Sequence, residues 1–219
     1  VQAALRGLQP GARVLDASCG IGYDLASLTR RGFEAVGADA SAAMAARARA
    51  QLVAVATSAP VVASTWADPA FRRAFDAVLC TGNSLAHCRS RPDRRRALAG
   101  LAGVLVTGGR LILDSQDWTA LHTRGSHRDE DPQVLRRGGA RARRVFEWDV
   151  PDGVHEVVTL TLTLLVEEEG TEQRTSTRVR FLPFDRDELR DDLVSVGLGD
   201  LEVTQVPGDD RYSVTAWAG

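Results

Sequence analysis

The run Asp16-Ala17-Ser18-Cys19-Gly20-Ile21-Gly22 brings a carboxylate, a hydroxyl and two glycines to what reads as the junction of a strand and a helix. Two glycines one residue apart let the backbone approach a ligand closely, because neither has a side chain in the way. Asp39, at the end of the next apolar run, can accept two hydrogen bonds from a ribose diol, and an ionised acceptor strengthens them. A dinucleotide would call for a third glycine where Leu25 stands, so the glycine pair with Asp39 fits a different ribose-bearing ligand. The plainer reading is an ordinary turn with a surface aspartate. A second polar run, Leu79 to Cys88 (LCTGNSLAHC), follows the apolar stretch Phe75–Val78 and holds Gly82, Asn83, Ser84 and His87. It has the outline of a nucleophile elbow on Ser84, and His122, His127 or His155 with Asp114 or Asp117 would complete a hydrolase triad in a permitted chain order. That reading leaves the turn at 18–22 and Asp39 without a purpose.

These runs need a scaffold that repeats strand and helix. The pattern predicts strands at 13–17, 33–38, 61–66, 75–80 and 110–114. Between them it predicts helices at 23–31, at 42–52 with Ser41 as cap, and at 93–105, broken by Thr107-Gly108-Gly109. Such alternation implies a parallel sheet covered on both faces, with ligands outside the carboxyl ends of its strands. After Asp114 the rhythm changes. Residues 115–140 read as a polar loop, followed by three antiparallel strands at 142–150, 154–167 and 173–183 with turns at Pro151-Asp152-Gly153 and Glu169-Gly170. A helix to about Val196 and a closing pair of strands, 201–206 and 211–217, then return to the main sheet. The expected fold class is therefore α/β, a doubly wound, mostly parallel seven-stranded sheet. Residues 1–114 and 184–219 form the main domain, and 115–183 an inserted antiparallel lid or substrate subdomain.

The chain has 219 residues, enough for a substantial core, and carries a net charge of -2 with 27 Lys plus Arg, all of them arginine. That balance gives no overall attraction to nucleic acid or anionic membrane. The arginine groups at 94–96 and 136–144 read as solvated faces. Three cysteines without a CxxC pair, Cys19, Cys80 and Cys88, favour a reducing cytoplasm and no metal. No 18-residue apolar span or signal peptide is visible, and the first residue is Val1, as expected of a chain with further residues upstream. Nothing here fixes the oligomeric state.

Val14 to Gly22, followed by Gly37-Ala38-Asp39-Ala40-Ser41 and Met44, resembles the class I S-adenosylmethionine-dependent methyltransferases, and with TGNSLAH the chain is similar to the glycine and sarcosine N-methyltransferases. The resemblance implies S-adenosyl-L-methionine as cofactor, S-adenosyl-L-homocysteine as product and a small-molecule acceptor, with no metal. It implies that Ser18, Gly20 and Gly22 line the methionine part, that Asp39 holds the ribose, and that Ala40 and Met44 pack on the adenine. Thr65 and Trp66 match the adenine-edge turn, though Trp66 also suits a core position, and Thr81, Gly82 and His87 match positions that reach the cofactor from the fourth strand. His87 can equally stabilise its turn. Methyl transfer from a sulfonium is an in-line displacement, and holding the reactants about 3 to 3.5 Å apart is the enzyme's main task. For an amine acceptor, the Asn83 side-chain oxygen or a backbone carbonyl near Gly82 can orient the nitrogen, so Asn83 and Gly82 are the candidate catalytic positions; asparagine also suits the turn itself. Gln116 stands where that family carries an arginine for a substrate carboxylate, and residues 119–140 hold no tyrosine. Glutamine cannot make the bidentate ion pair, which points away from a free amino acid towards a larger amine or a secondary metabolite. The alternatives are O- or C-methylation, a non-catalytic S-adenosylmethionine-binding protein, and the hydrolase on Ser84.

Overall fold

The structure, a computed structural model, describes residues 5–168 and 170–219. Contacts divide the chain into two units, one running to Gln116 and resuming at Arg186–Gly219, the other Asp117–Asp185.

In the first unit β1 (Arg13–Asp16), α1 (Tyr23–Arg30), β2 (Glu34–Asp39), α2 (Ala42–Ala54), β3 (Val61–Ala63) and β4 (Phe75–Cys80) alternate. Then come a 3-10 turn at Ser84–His87, α3 (Arg91–Gly103) and β5 (Leu105–Gln116). Ser41 caps α2, its hydroxyl accepting the Met44 N–H, and Ser90 with a proline in the first turn starts α3. Leu25 and Leu28 of α1 and Ala45, Ala48 and Leu52 of α2 pack into one core with Val14, Leu79 and Ile112 of the sheet. β3 is shorter than the predicted 61–66, so Thr65 and Trp66 lie beyond it. Thr107-Gly108-Gly109 does not break the chain into helix and strand. It lies inside β5, where the pairing with β4 slips between Phe75 and Ala77, so the extra residues are absorbed by an irregularity in the ladder.

The second unit contains α4 (Trp118–Arg124), β6 (His127–Glu130), β7 (Leu135–Arg137), β8 (Ala140–Asp149), β9 (Val158–Glu168) and β10 (Thr171–Phe181). Its five strands are antiparallel, in the order β10-β9-β8-β6, with β7 also on β8. The expected loop at 115–140 is thus largely a helix and two strands. The Asp117 side chain caps α4 by accepting the Ala120 N–H, while β6 (HRDE) and β7 (LRR) owe their form to pairing with β8 rather than to any apolar alternation. Of the predicted Glu169-Gly170 turn, Glu169 lies outside the described residues.

Back in the first unit, α5 (Arg186–Ser195), β11 (Leu198–Thr204) and β12 (Arg211–Ala218) close the fold. The seven-stranded sheet runs β11-β12-β5-β4-β1-β2-β3, with β12 antiparallel to β5 and to β11 and the other pairs parallel. The arginines at 94–96 are not simply a solvated face. Arg94 is 1% exposed, and Asp192 of α5, fully buried, takes hydrogen bonds from Arg91, Arg94 and Arg95 at 2.7–2.8 Å. Among the described residues no helix is long and apolar enough to cross a membrane.

Candidate functional site

Because β1 pairs in parallel with both β2 and β4, the carboxyl ends of the three strands stand side by side where the strand order reverses. The turns that leave them are tied together. Asp39 accepts the Gly20 N–H on one carboxylate oxygen at 2.9 Å and the Ser41 N–H on the other at 2.8 Å. An ionised carboxylate has about four lone-pair sites, so both oxygens keep capacity for a ligand. The Ser18 hydroxyl accepts the Thr81 N–H at 3.0 Å and donates to the Thr81 carbonyl at 3.1 Å, which joins the β1 turn to the β4 turn. The Trp66 indole donates to the Ala17 carbonyl at 2.7 Å.

The two glycines of the first turn do different work. At Gly22, with φ 83°, an added Cβ would stand 3.2 Å from the Cβ of Ala48, so this glycine lets α1 and α2 approach. At Gly20, with φ 52°, a Cβ would meet nothing within 4 Å, so the backbone here faces open space. Ala40, Thr65, Trp66 and His87 line one cavity of about 600 Å³, within the range of small-molecule sites, with Asp93 and Arg96 also in its wall. Met44 is not among its lining residues; it sits in the first turn of α2 and is 38% exposed.

Burial dominates the chemistry of the buried groups near these turns. It pushes Asp16 up to about 7, with the charges of Asp24 and Asp39 acting the same way against one hydrogen bond from the Ser18 N–H. Burial also raises the Cys19 and Cys88 thiols to about 12, which keeps them protonated and inert, as expected of small apolar cysteines. Among the described residues no cluster of three or more His, Cys, Asp or Glu is placed to hold a metal ion.

The turn after β4 is fixed by side chains from β5. Gly82 and Asn83 both take the left-handed conformation, φ 77° and 61°. The Asn83 N–H donates to Asp114 at 2.7 Å, and the other Asp114 oxygen pairs with Arg211 of β12 at 3.1 Å. The Asn83 side-chain oxygen accepts the Gln116 N–H at 3.1 Å and lies 3.5 Å from the Ser115 hydroxyl. The Ser84 hydroxyl donates to the Thr81 carbonyl at 2.6 Å, closing its own turn and leaving no proton free for a general base. Gln116 is 5% exposed, and its side-chain nitrogen is buried without a hydrogen-bond partner.

Of the candidate residues, Ser18, Gly20, Asp39 and Thr81 belong to one hydrogen-bonded set; Ala40, Thr65, Trp66 and His87 share the cavity; and Gly82, Asn83 and Gln116 meet at the end of β5. Sequence reasoning passed over Asp114 as a hub, having weighed it only as a hydrolase acid. Its place at the carboxyl end of a predicted strand was the one available signal. It also did not show that Asp16 is held towards its neutral form, which depends on burial by distant chain segments.

Residues 14–109 match the family model described as "Methyltransferase domain". Over 153 residues, 64% of this chain, the sequence is 32% identical to the glycine/sarcosine N-methyltransferase of Aphanothece halophytica, 56% of which is covered. The chain spans about half the length, or less, of the curated relatives it matches. In fold, the whole chain is similar to an amino pentose methyltransferase from Micromonospora echinaspora, solved with S-adenosylmethionine bound, at TM-score 0.81 and 22% identity over 86% of that chain. The sugar N-methyltransferase from Streptoalloteichus sp ATCC 53650 is similar at TM-score 0.79 and 24% identity, over 99% of this chain and 84% of the other.

Proposed function

We propose that this chain is a class I S-adenosylmethionine-dependent methyltransferase and that it methylates an amine nitrogen of a small molecule. The observation that carries the reading is the cross-tied set of turns at the carboxyl ends of β1, β2 and β4, together with a cavity of about 600 Å³ whose wall includes Ala40, the residue after Asp39. The residues present fit the cofactor: Gly20 faces open space, Asp39 keeps acceptor capacity for a ribose diol, and Ala40, Thr65, Trp66 and His87 offer walls for an adenine. When bound, S-adenosyl-L-methionine supplies a methyl group already activated by its sulfonium charge.

The chain's own work is positioning. Ser18 and Thr81 hold the methionine side and the acceptor side of the site in one frame. That methyl group would be offered to an acceptor nitrogen, and the chain's part would be to hold the nitrogen in line with it. Of the two groups suited to orienting that nitrogen, the Asn83 oxygen is already engaged by Gln116 and Ser115, which favours the backbone carbonyl of Gly82. Asn83 then serves as a positioning residue for the turn. The inserted antiparallel segment, expected at 115–183 and forming the separate unit Asp117–Asp185, is read as a substrate subdomain. The glycine/sarcosine N-methyltransferase relatives and the sugar N-methyltransferase fold neighbour support nitrogen over oxygen or carbon as the methylated atom.

Calorimetry with S-adenosyl-L-homocysteine tests the cofactor site. The wild type should bind, Asp39→Ala should lose most of the affinity, and Asp39→Asn, which keeps one acceptor oxygen, should lie between. A folded wild type that does not bind refutes the reading. Turnover across amines, alcohols and carbon acids identifies the methylated atom.

A further inference from the structure

The strands that end the two sheets are guarded in different ways. β3 is three residues long and β6 four, and β11 carries a register shift against β12 between Gly199 and Glu202. Short strands and bulges keep a sheet edge from pairing with another chain. β10 has neither. It runs for eleven residues, Thr171–Phe181, without proline or glycine; its register with β9 is unbroken over that length, and nine of the eleven residues are exposed. Over residues 171–179 its outer edge presents backbone N–H and C=O groups that a further strand would satisfy.

The guard left on β10 is charge, and the order of its charges selects the partner. Like charges opposed across a strand pair repel, and opposite ones attract. Two copies of β10 set antiparallel about a two-fold axis at Thr175 place Glu172 opposite Arg178 of the copy, twice over, and Arg174 opposite Ser176. No like charges meet. Moving the axis to residue 174 sets Arg174 against Arg174, and moving it to 176 sets Arg174 against Arg178. Directly opposed residues share a face, so the Glu172–Arg178 pairs fall where Arg143 already pairs with Glu172 and Arg174 with Glu147. On the other face Thr175 meets Thr175 and Thr171 meets Val179, beside Leu160, Leu162 and Leu164 of β9. We propose that β10 is a homodimer interface, pairing antiparallel with β10 of a second copy about Thr175, so that the two five-stranded sheets become one. Assembly through β10 is independent of which molecule is methylated.

Sedimentation equilibrium on the full chain should show a monomer–dimer equilibrium in the micromolar range, the strength suited to a small interface. Glu172→Arg and Arg178→Glu each oppose like charges at two places and should weaken the dimer about tenfold. Combining the two changes opposes unlike charges again and should restore the wild-type constant. Far-ultraviolet circular dichroism should be the same for all four proteins, since both positions are exposed. Crosslinking tests the register separately. Opposed Cα atoms in an antiparallel pair lie about 4.5 to 5.5 Å apart, within disulfide reach, so Thr175→Cys should give a covalent dimer on mild oxidation. Ser176→Cys, which faces Arg174 of the copy, should crosslink far less. Cys19, Cys80 and Cys88 are buried and offer no competing thiol. A wild type that stays monomeric into the millimolar range, single charge changes that leave the dimer untouched, or a double change that does not restore it would each overturn the proposal. So would crosslinking no better through Thr175→Cys than through Ser176→Cys.

Discussion

The two sheets of this protein are built on different terms. In the seven-stranded sheet, β4 is buried along nearly its whole length, and the turns leaving β1 and β4 are tied to each other and to β5 by buried or half-buried hydrogen bonds. In the five-stranded sheet, β10 is exposed at nine of its eleven residues, and its neighbours carry ion pairs across the strands, such as Arg143 with Glu130 and with Glu172. The first arrangement concentrates stability in a few buried contacts, so a single side chain can matter greatly. The second spreads it over many solvent-screened contacts that matter little one by one.

The sharpest test of that contrast is the buried cluster between α3 and α5. Asp192→Ala leaves the buried Arg94 with Glu188 as its remaining carboxylate partner and strips Arg91 and Arg95 of theirs, and should lower unfolding free energy by up to about 3 to 5 kcal/mol, read from urea denaturation. A loss below about 1 kcal/mol would break the comparison. Burial raises Asp192, but the hydrogen bonds from Arg91, Arg95 and Arg94 outweigh it and hold the carboxyl below its ordinary value. Its contribution is therefore present above the unfolded-state value and is lost as pH falls through the lower folded one.

Asp16 should act in the opposite sense and somewhat less strongly. Its folded-state value, about 7, lies above the ordinary 3.8, so the folded chain holds the extra proton. That contribution is complete below the unfolded value and disappears as pH rises through about 7, a change on the order of 4 kcal/mol if no other group compensates. Asp16→Asn should remove this slope, so that Tm scans from about pH 5 to about pH 8 show the variant gaining on wild type. Parallel curves for the two proteins would contradict it. The smallest effect belongs to the second unit. Arg143→Ala should cost less than about 1 kcal/mol, and the difference should shrink in high salt, because both ion pairs are solvent-screened.

The same division explains how far the sequence could be read. β4 falls on Phe75–Cys80 as its apolar run indicates, and the glycines and Asp39 lie at the turns where their spacing puts them. Those features are local. Residues 105–109 misled because glycines that look like a break are tolerated within β5 by a slip in pairing with β4, a property of two strands and not of one. β6 and β7 were invisible for a similar reason, since charged segments become strands when β8 offers them a ladder. Arg94 reads as surface in an arginine-rich segment, and its carboxylate partners Asp192 and Glu188 lie 98 and 94 residues away. The identities of Asn83 and Gln116 were legible, but the hydrogen bond between them, which engages the Asn83 side-chain oxygen, was not.

The Asp114 carboxylate, held between the Asn83 N–H and Arg211, also bears on how the chain matures during synthesis. A ribosome releases the glycine-rich turn and the β4 turn early, yet Arg211 and its strand emerge only after all of residues 117–185. The frame around the β4 turn therefore joins stretches of chain made at different times, and its Asp114–Arg211 contact cannot form until β12 has been synthesised.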